Sequence, residues 1–145
     1  MNRRAALTAL VIASGLTLAG CAHADNRTPQ TTTVEVSYDD LLNQKNVTRQ
    51  VSLTAGDTLR VVLASNASTG YQWTADAQIS DRGLLTQTSH QTVAPSDAKP
   101  GAAGSEVWTF DAIKPGSATL TTSYGQPWPG GTKDAWTFSA AVSVR

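Results

Sequence analysis

The feature that most limits how this sequence can fold is the alternation of apolar and polar residues that runs through most of it. Apolar side chains recur at every second position in short segments, whereas the roughly 3.6-residue spacing of an amphipathic helix is absent. Such alternation is typical of a strand with one buried and one solvated face. The alternating segments are Val34 to Tyr38, Val47 to Leu53, Leu59 to Leu63, Tyr71 to Trp73, Leu84 to Val93, Val107 to Ala112, Ala118 to Tyr124 and Trp136 to Val144.

Turn-forming residues separate these segments, as in Ala55-Gly56-Asp57, Lys114-Pro115-Gly116 and Pro129-Gly130-Gly131. Short strands divided by such turns predict an all-β fold, an immunoglobulin-like antiparallel β-sandwich of about eight strands. Asp39 to Leu42 would add a single helical turn. The core that we expect contains Val36, Val51, Leu59, Val61, Leu63, Trp73, Trp108 or Phe110, Leu120, Phe138 and Val142.

The first 20 residues have a different character. Arg3 and Arg4 precede an apolar run that is too short to predict a membrane span, which is typical of a secretory signal peptide. The run ends in Leu18-Ala19-Gly20-Cys21, which matches the bacterial lipobox, and Cys21 is the only cysteine in the chain. We therefore expect a signal peptide over residues 1–20 and lipid on Cys21, with several acyl chains giving stable membrane attachment. The alternative is a secreted protein whose cysteine happens to lie near the cleavage site.

Residues 22–33 are polar and aperiodic, so we expect residues 21–33 to form a lipidated cysteine and flexible tether, and residues 34–145 to form the folded domain. The protein would lie in the bacterial cell envelope. Because Ala22 rather than aspartate follows the cysteine, the outer membrane is favoured if the cell has two membranes.

Charge argues against nucleic-acid binding. Without Arg3 and Arg4, nine basic side chains remain against eleven acidic ones, and no basic patch is interleaved with aromatic residues. Catalysis also lacks support, because the sequence offers no nucleophile with a base at a suitable spacing and no metal-ligand spacing. The two histidines, His23 and His90, stand apart, and His90 is expected to be a solvated surface residue. We expect no enzyme, no cofactor and no metal.

Three inter-strand segments are rich in small residues: Asn66 to Trp73, Asp97 to Gly104 and Gly125 to Gly131. They follow the third, fifth and seventh predicted strands. If the chain reverses direction at every strand, these loops emerge at the same end of the molecule.

The three loops resemble those of the chagasin family, protein inhibitors of papain-like cysteine peptidases. The family pattern is Asn-Pro-Thr-Thr-Gly-Tyr, then Gly-x-x-Gly, then Arg-Pro-Trp. Here the segments stand, in the same order, as Asn66-Ala67-Ser68-Thr69-Gly70-Tyr71, Gly101-Ala102-Ala103-Gly104 and Gln126-Pro127-Trp128. The resemblance covers about residues 34 to 145.

The resemblance implies a reversible, tight-binding inhibitor whose partner is a papain-like cysteine peptidase. The first loop would enter the peptidase cleft with Ser68 and Thr69 nearest the catalytic thiolate, and the other two loops would hold the cleft walls. Three positions depart from the family pattern: Ala67 replaces proline, Ser68 replaces threonine and Gln126 replaces arginine. We therefore expect weaker inhibition than from a member with the full motif.

A second interpretation is an envelope-tethered binding module for a cell-wall glycan or a partner protein, since β-sandwiches of this type serve many functions. A third is a purely structural lipoprotein. Carbohydrate sites combine exposed aromatics with several polar side chains, and these loops offer Trp128 with few of the latter. We expect a monomer.

Overall fold

The computed structural model describes residues 26–97 and 99–145. Within them, a short helix and a one-turn 3₁₀ helix accompany nine strands. The strands are β1 (Thr31–Val36), β2 (Asn46–Leu53), β3 (Thr58–Ser65), β4 (Gln72–Trp73), β5 (Gln78–Ile79), β6 (Leu85–Val93), β7 (Gly104–Ala112), β8 (Gly116–Gly125) and β9 (Trp136–Val144). The helix α1 spans Tyr38–Asn43, and the 3₁₀ turn spans Ala67–Thr69.

The strands form two sheets. One has the order β1-β3-β7-β6; the other has the order β2-β9-β8-β4, and β5 also pairs with β8. This confirms the predicted all-β sandwich. The predicted fourth strand, Tyr71 to Trp73, corresponds to β4, whereas β5 lies outside the predicted segments; both strands run antiparallel to β8.

Not every neighbouring pair is antiparallel. β1 pairs with β3, and β2 with β9, in parallel. The chain still reverses at each strand, with β4 and β5 as one pass. β1 and β3 lie in one sheet, and β2 lies in the other. β1 therefore pairs with β3, which runs in the same direction because the chain has reversed twice between them. The two parallel edges follow from this crossing between sheets.

The core contains the residues that the alternation predicts. All of the expected positions are buried, and Trp108 and Phe110 are both inside, 1% and 0% exposed. They lie two positions apart on β7, so they share one face of the sheet. The core confirms the period-two interpretation of the sequence.

The folded part begins earlier than predicted. β1 starts at Thr31, which pairs with Thr58, so residues 31–33 belong to a sheet and not to a tether. Before it, the Gln30 N–H donates to the Asp57 carboxylate at 2.9 Å, and the Arg27 guanidinium reaches the same oxygen at 2.7 Å. The periodicity of apolar residues did not reveal this segment because residues 31–33 are all threonine.

Among the described residues, no helix is long and apolar enough to cross a membrane. The predicted signal peptide, Cys21 and His23 lie outside the described residues.

Candidate functional site

Three loops meet at one end of the sandwich: loop 1 (residues 66–71), loop 2 (residues 94–97 and 99–103) and loop 3 (residues 126–135). Ser65 pairs with Gly104, so the end of β3 lies beside the start of β7. Gln72 pairs with Gly125, which brings the start of β4 beside the end of β8. The strand pairing therefore places loops 2 and 3 on either side of loop 1.

Loop 1 is held by its own side chains. The Asn66 side chain accepts hydrogen bonds from the Ser68 N–H at 3.3 Å and the Ser68 hydroxyl at 2.5 Å. The Asn66 carbonyl accepts from the Thr69 N–H at 3.1 Å and the Thr69 hydroxyl at 2.6 Å. Ala67, Ser68 and Thr69 are exposed. Because both hydroxyls are bonded inward, the loop presents a small and pre-organised tip.

Gly70 ends the 3₁₀ turn with φ +77° and ψ 0°, a left-handed conformation that disfavours residues with a Cβ. The indole of Trp128 in loop 3 lies directly over it: a methyl group at Gly70 would stand 2.7 Å from Cη2 of Trp128. Trp128 is nevertheless 46% exposed. Its ring covers loop 1 and exposes only its remaining surface.

Aromatic residues support the base of loop 1. Tyr71 packs against Tyr124 and Trp136, with ring centroids 5.6 and 5.9 Å apart. The Tyr124 hydroxyl accepts a hydrogen bond from the Asn66 N–H at 2.9 Å. Trp73 is buried and lies 4.9 Å from Tyr124, centroid to centroid. These rings connect loop 1 to the sandwich core.

Among the described residues, the Asn66 side-chain N–H of loop 1 donates a hydrogen bond to the Gly101 carbonyl of loop 2 at 3.3 Å. Gly101 has φ +81° and Ala103 is exposed, whereas Ala102 is half-buried. A hollow of about 390 Å³ lies between the two loops. Gly104 differs from the others: it begins β7, and a Cβ there would collide with the Val93 carbonyl. Its small size serves strand packing.

Loop 3 is closed by polar contacts. The Gln126 side chain accepts a hydrogen bond from the Thr132 N–H at 2.8 Å. The Lys133 ammonium donates to the carbonyls of Gln126 and Trp128 at 2.5 and 3.0 Å. Pro127 is exposed beside them. Lys133, which the sequence motifs did not indicate, therefore brings a positive charge to the loop in which the family arginine is replaced by Gln126.

His90 is not a solvated surface residue, and that prediction is wrong. Its side chain is only 21% exposed, its Nε2 lies 2.8 Å from Oε2 of Glu106, and its ring stacks on Trp108 at 4.8 Å. Glu106 is buried, 3% exposed. Both residues line a cleft of about 450 Å³ at the base of loops 1 and 3. Sequence reasoning missed this pair because neither residue belongs to a recognised motif.

Comparison with known proteins gives one family. The model of the chagasin family, peptidase inhibitor family I42, matches residues 52–142, which include all three loops. No curated protein matched the chain.

Solved structures share the fold. A cysteine protease inhibitor, EhICP2, from Entamoeba histolytica superposes with a TM-score of 0.59 at 18% identity, covering 82% of this chain and 99% of that one. Amebosin gives a TM-score of 0.51 at 21% identity, with coverage of 82% and 100%. PbICP-C, solved in complex with falcipain-2, gives a TM-score of 0.56 at 18% identity, with coverage of 77% and 96%.

Proposed function

The chain belongs to the chagasin family of peptidase inhibitors, and from this premise we propose that it is a reversible, tight-binding inhibitor of papain-like cysteine peptidases. Membership of an inhibitor family agrees with the expectation that the chain is not an enzyme. Two of the structures with the same fold are consistent with the target class: one is a cysteine protease inhibitor and another is bound to falcipain-2.

The observation that carries the proposal is the fixed tip of loop 1 between two flanking loops. Ala67, Ser68 and Thr69 are small and exposed, and the polar groups of the last two are bonded within the loop. Such a tip enters a narrow slot without large side chains in the way. Because the loop is already ordered, it loses little conformational entropy on binding, which is how an interface of roughly 800 Å² per partner reaches high affinity.

Each loop has a distinct part in this proposal. Loop 1 fills the active-site cleft with Ser68 and Thr69 nearest the catalytic thiolate, and loops 2 and 3 contact the cleft walls. Loop 2 offers mainly backbone around Gly101, whereas loop 3 offers the exposed part of the Trp128 indole. The proposed contact residues are Asn66, Ala67, Ser68, Thr69, Gly70, Tyr71, Gly101, Ala102, Ala103, Gly104, Gln126, Pro127 and Trp128.

Inhibition is tested by titrating residues 22–145, which retain the Arg27 and Gln30 contacts to Asp57, against papain and a lysosomal cathepsin, with a serine peptidase as the control. We expect stoichiometric loss of cysteine peptidase activity alone.

Trp128→Ala should raise the inhibition constant by about 30-fold, as expected for truncation of an interface tryptophan worth about 2 kcal/mol. Ile113→Ala is the matched control, because Ile113 is 54% exposed at the opposite end. No inhibition at micromolar concentration would favour the glycan-binding or partner-binding module.

The second part of the proposal concerns location: Cys21 carries lipid and holds the inhibitor at the bacterial cell envelope. The lipobox sequence supports it. Expression of the full chain in a bacterium supplied with labelled palmitate should give a labelled, membrane-associated protein, and Cys21→Ser should abolish both label and membrane association. Label-free protein in the medium would favour plain secretion.

A further inference from the structure

One carboxylate oxygen joins the two stems of loop 1. Oε1 of Glu106 accepts hydrogen bonds from the Ser65 hydroxyl at 2.9 Å and from the Trp73 N–H at 3.0 Å. Ser65 is the last residue of β3 and Trp73 lies on β4. Loop 1 connects these two strands, so Ser65 and Trp73 are the stems of the loop. Glu106 itself lies on β7, whose partner strands on both sides hold it in the sheet. The separation of the two stems is therefore fixed by an atom outside the loop.

The other carboxylate oxygen faces the open side of the sandwich. Oε2 of Glu106 lies 2.8 Å from Nε2 of His90 on β6, whose ring is 21% exposed and stacks on Trp108. Two further charged residues line the same cleft, Lys133 and Asp134, both from loop 3. The imidazole thus lies between the buried carboxylate and the solvent, and it is itself partly exposed to water.

A carboxylate suits this position because the Ser65 hydroxyl and the Trp73 N–H both donate to one oxygen, and a His90 imidazole that carries hydrogen on Nε2 donates to the other. An ionised carboxylate only accepts hydrogen bonds, and it does so on both oxygens. A buried carboxylate is tolerated where both of its oxygens have hydrogen-bond partners, as they do here. We propose that Glu106 is a positioning residue for loop 1: it sets the relative placement of the loop stems and thereby the inhibitory strength of a tip that it does not touch. The inference rests on the proposed function.

Glu106→Gln tests this through hydrogen-bond polarity. An amide has one accepting oxygen and one donating NH₂. Neutral His90 can accept from that NH₂ at Nε2, which leaves the amide oxygen for Ser65 and Trp73. Protonated His90 can only donate, so the oxygen must turn to His90 and the NH₂ then faces the Trp73 N–H. In the variant, acidification therefore breaks the stem contacts; in the wild type, the carboxylate accepts on both sides in either state.

The experiment measures the inhibition constant for papain from about pH 7.5 to about pH 5.5, across the range in which histidines ordinarily titrate. The quantity of interest is the ratio of variant to wild-type constants at each pH, which cancels the pH dependence of the peptidase. We expect this ratio to rise by about 10-fold on acidification, the size expected for one unpaired buried donor. Glu106→Gln combined with His90→Gln should give a ratio that does not change with pH, because position 90 then carries no ionisable side chain.

Asp57→Asn is the matched control, the same acid-to-amide change at a buried carboxylate at the opposite end, and its ratio should stay flat. A flat ratio for Glu106→Gln as well would overturn the inference. The inference would also be overturned if the ratio for the double variant with His90→Gln rose on acidification by the same factor.

Amide chemical shifts of Ser68 and Gly70 provide a readout that needs no peptidase. In Glu106→Gln they should move on acidification, and in the wild type they should not. If the wild type fails to inhibit but these shifts behave as expected, the proposed function fails and the positioning role stands. If the wild type inhibits and the shifts of the variant do not move, the positioning role fails alone.

Discussion

The two ends of the sandwich are each organised around a buried carboxylate, Glu106 near the loops and Asp57 at the opposite end, 3% and 5% exposed. Oδ1 of Asp57 accepts hydrogen bonds from the Gln30 N–H and the Arg27 guanidinium, and Oδ2 accepts from the Thr54 N–H at 2.8 Å. It thereby ties the segment before β1 to the turn between β2 and β3. Both carboxylates join parts of the chain that are distant in sequence.

The two carboxylates have different hydrogen-bond partners, and they stabilise different parts of the chain. Asp57 is bonded mainly to backbone N–H groups and to an arginine, which stays charged at any ordinary pH. Glu106 is bonded to side-chain and backbone donors at the stems of an exposed loop, and to His90, which can change its charge. We infer that the Asp57 end secures the fold, whereas the Glu106 end secures the shape of a surface. Mutations at the two ends should therefore separate stability from inhibition.

The largest separation is expected between two glycines with the same backbone requirement. Gly70 has φ +77° and Gly56 has φ +92°, so alanine at either position meets left-handed strain of about 1–2 kcal/mol. At Gly70 the new methyl also meets the Trp128 indole, whereas nothing lies within 4 Å at Gly56. Gly70→Ala should raise the inhibition constant by about 10-fold or more because loop 1 or the ring must move. Gly56→Ala should lower the melting temperature and leave inhibition unchanged.

Gly101→Ala sharpens the same comparison inside the binding end. Gly101 has φ +81° and open space around it, so it carries the backbone strain without the indole contact. Inhibition constants and melting temperatures of the three variants are measured together. Equal loss of inhibition in Gly56→Ala and Gly70→Ala would contradict the division of roles between the two ends.

The next effect is on stability at low pH. Hydrogen bonds from Gln30, Thr54 and Arg27, in that order of importance, lower the pKa of Asp57 from 3.8 to about 2. A carboxyl whose folded-state pKa is depressed stabilises the fold above its unfolded pKa, and that contribution is lost as the pH falls from about 4 towards 2. The melting temperature should therefore fall steeply across this window.

Asp57→Asn keeps an accepting oxygen but removes the charge, so it should be less stable than the wild type at neutral pH and lose less stability on acidification. Its inhibition constant at neutral pH should match that of the wild type. A variant that keeps the full acid-induced loss would show that other carboxyls cause it.

The sequence was sufficient to predict an all-β sandwich because its signals are local and repeated. Ala118 and Leu120 alternate with the polar residues Ser117, Thr119 and Thr121, and glycine or proline marks several of the turns. The passes of the chain and their directions therefore follow without knowledge of the pairing. Direction alone then placed the three loops at one end, since each loop follows a strand that runs the same way. The burial of the predicted core agrees with this.

The Glu106–His90 pair was beyond such reasoning because it depends on register. His90 lies opposite Trp108 only after a β-bulge between Gln87 and Ser89 shifts the pairing of β6 with β7. A bulge changes which alternate side chains face inward, and a polar strand carries no apolar pattern to reveal the change. The packing of Trp128 on Gly70 was likewise hidden, because the prolines beside Trp128 restrict the backbone but do not fix the direction of the ring.

The smallest expected effect concerns the positions that depart from the family motif. Ala67 is the first residue of the 3₁₀ turn, a position that suits the fixed φ of proline, and Asn66 before it is extended at φ −121° and ψ 90°. Among the described residues the Ala67 N–H donates no hydrogen bond, so proline would remove none. Ala67→Pro should lower the inhibition constant by about 2- to 5-fold, because a stiffer free loop has less entropy to lose.

Restoring the family arginine should not help in the same way. Gln126 uses its side-chain oxygen to accept from the Thr132 N–H, and arginine has no acceptor. The Lys133 ammonium already donates to the Gln126 carbonyl, so a second cation would stand beside the first. The test is to measure the inhibition constants of Ala67→Pro, Gln126→Arg and the double variant. We expect tighter inhibition by Ala67→Pro, no improvement by Gln126→Arg and an intermediate inhibition constant for the double variant. Tighter inhibition by Gln126→Arg alone would mean that the peptidase supplies an acidic partner strong enough to outweigh the loss of loop closure.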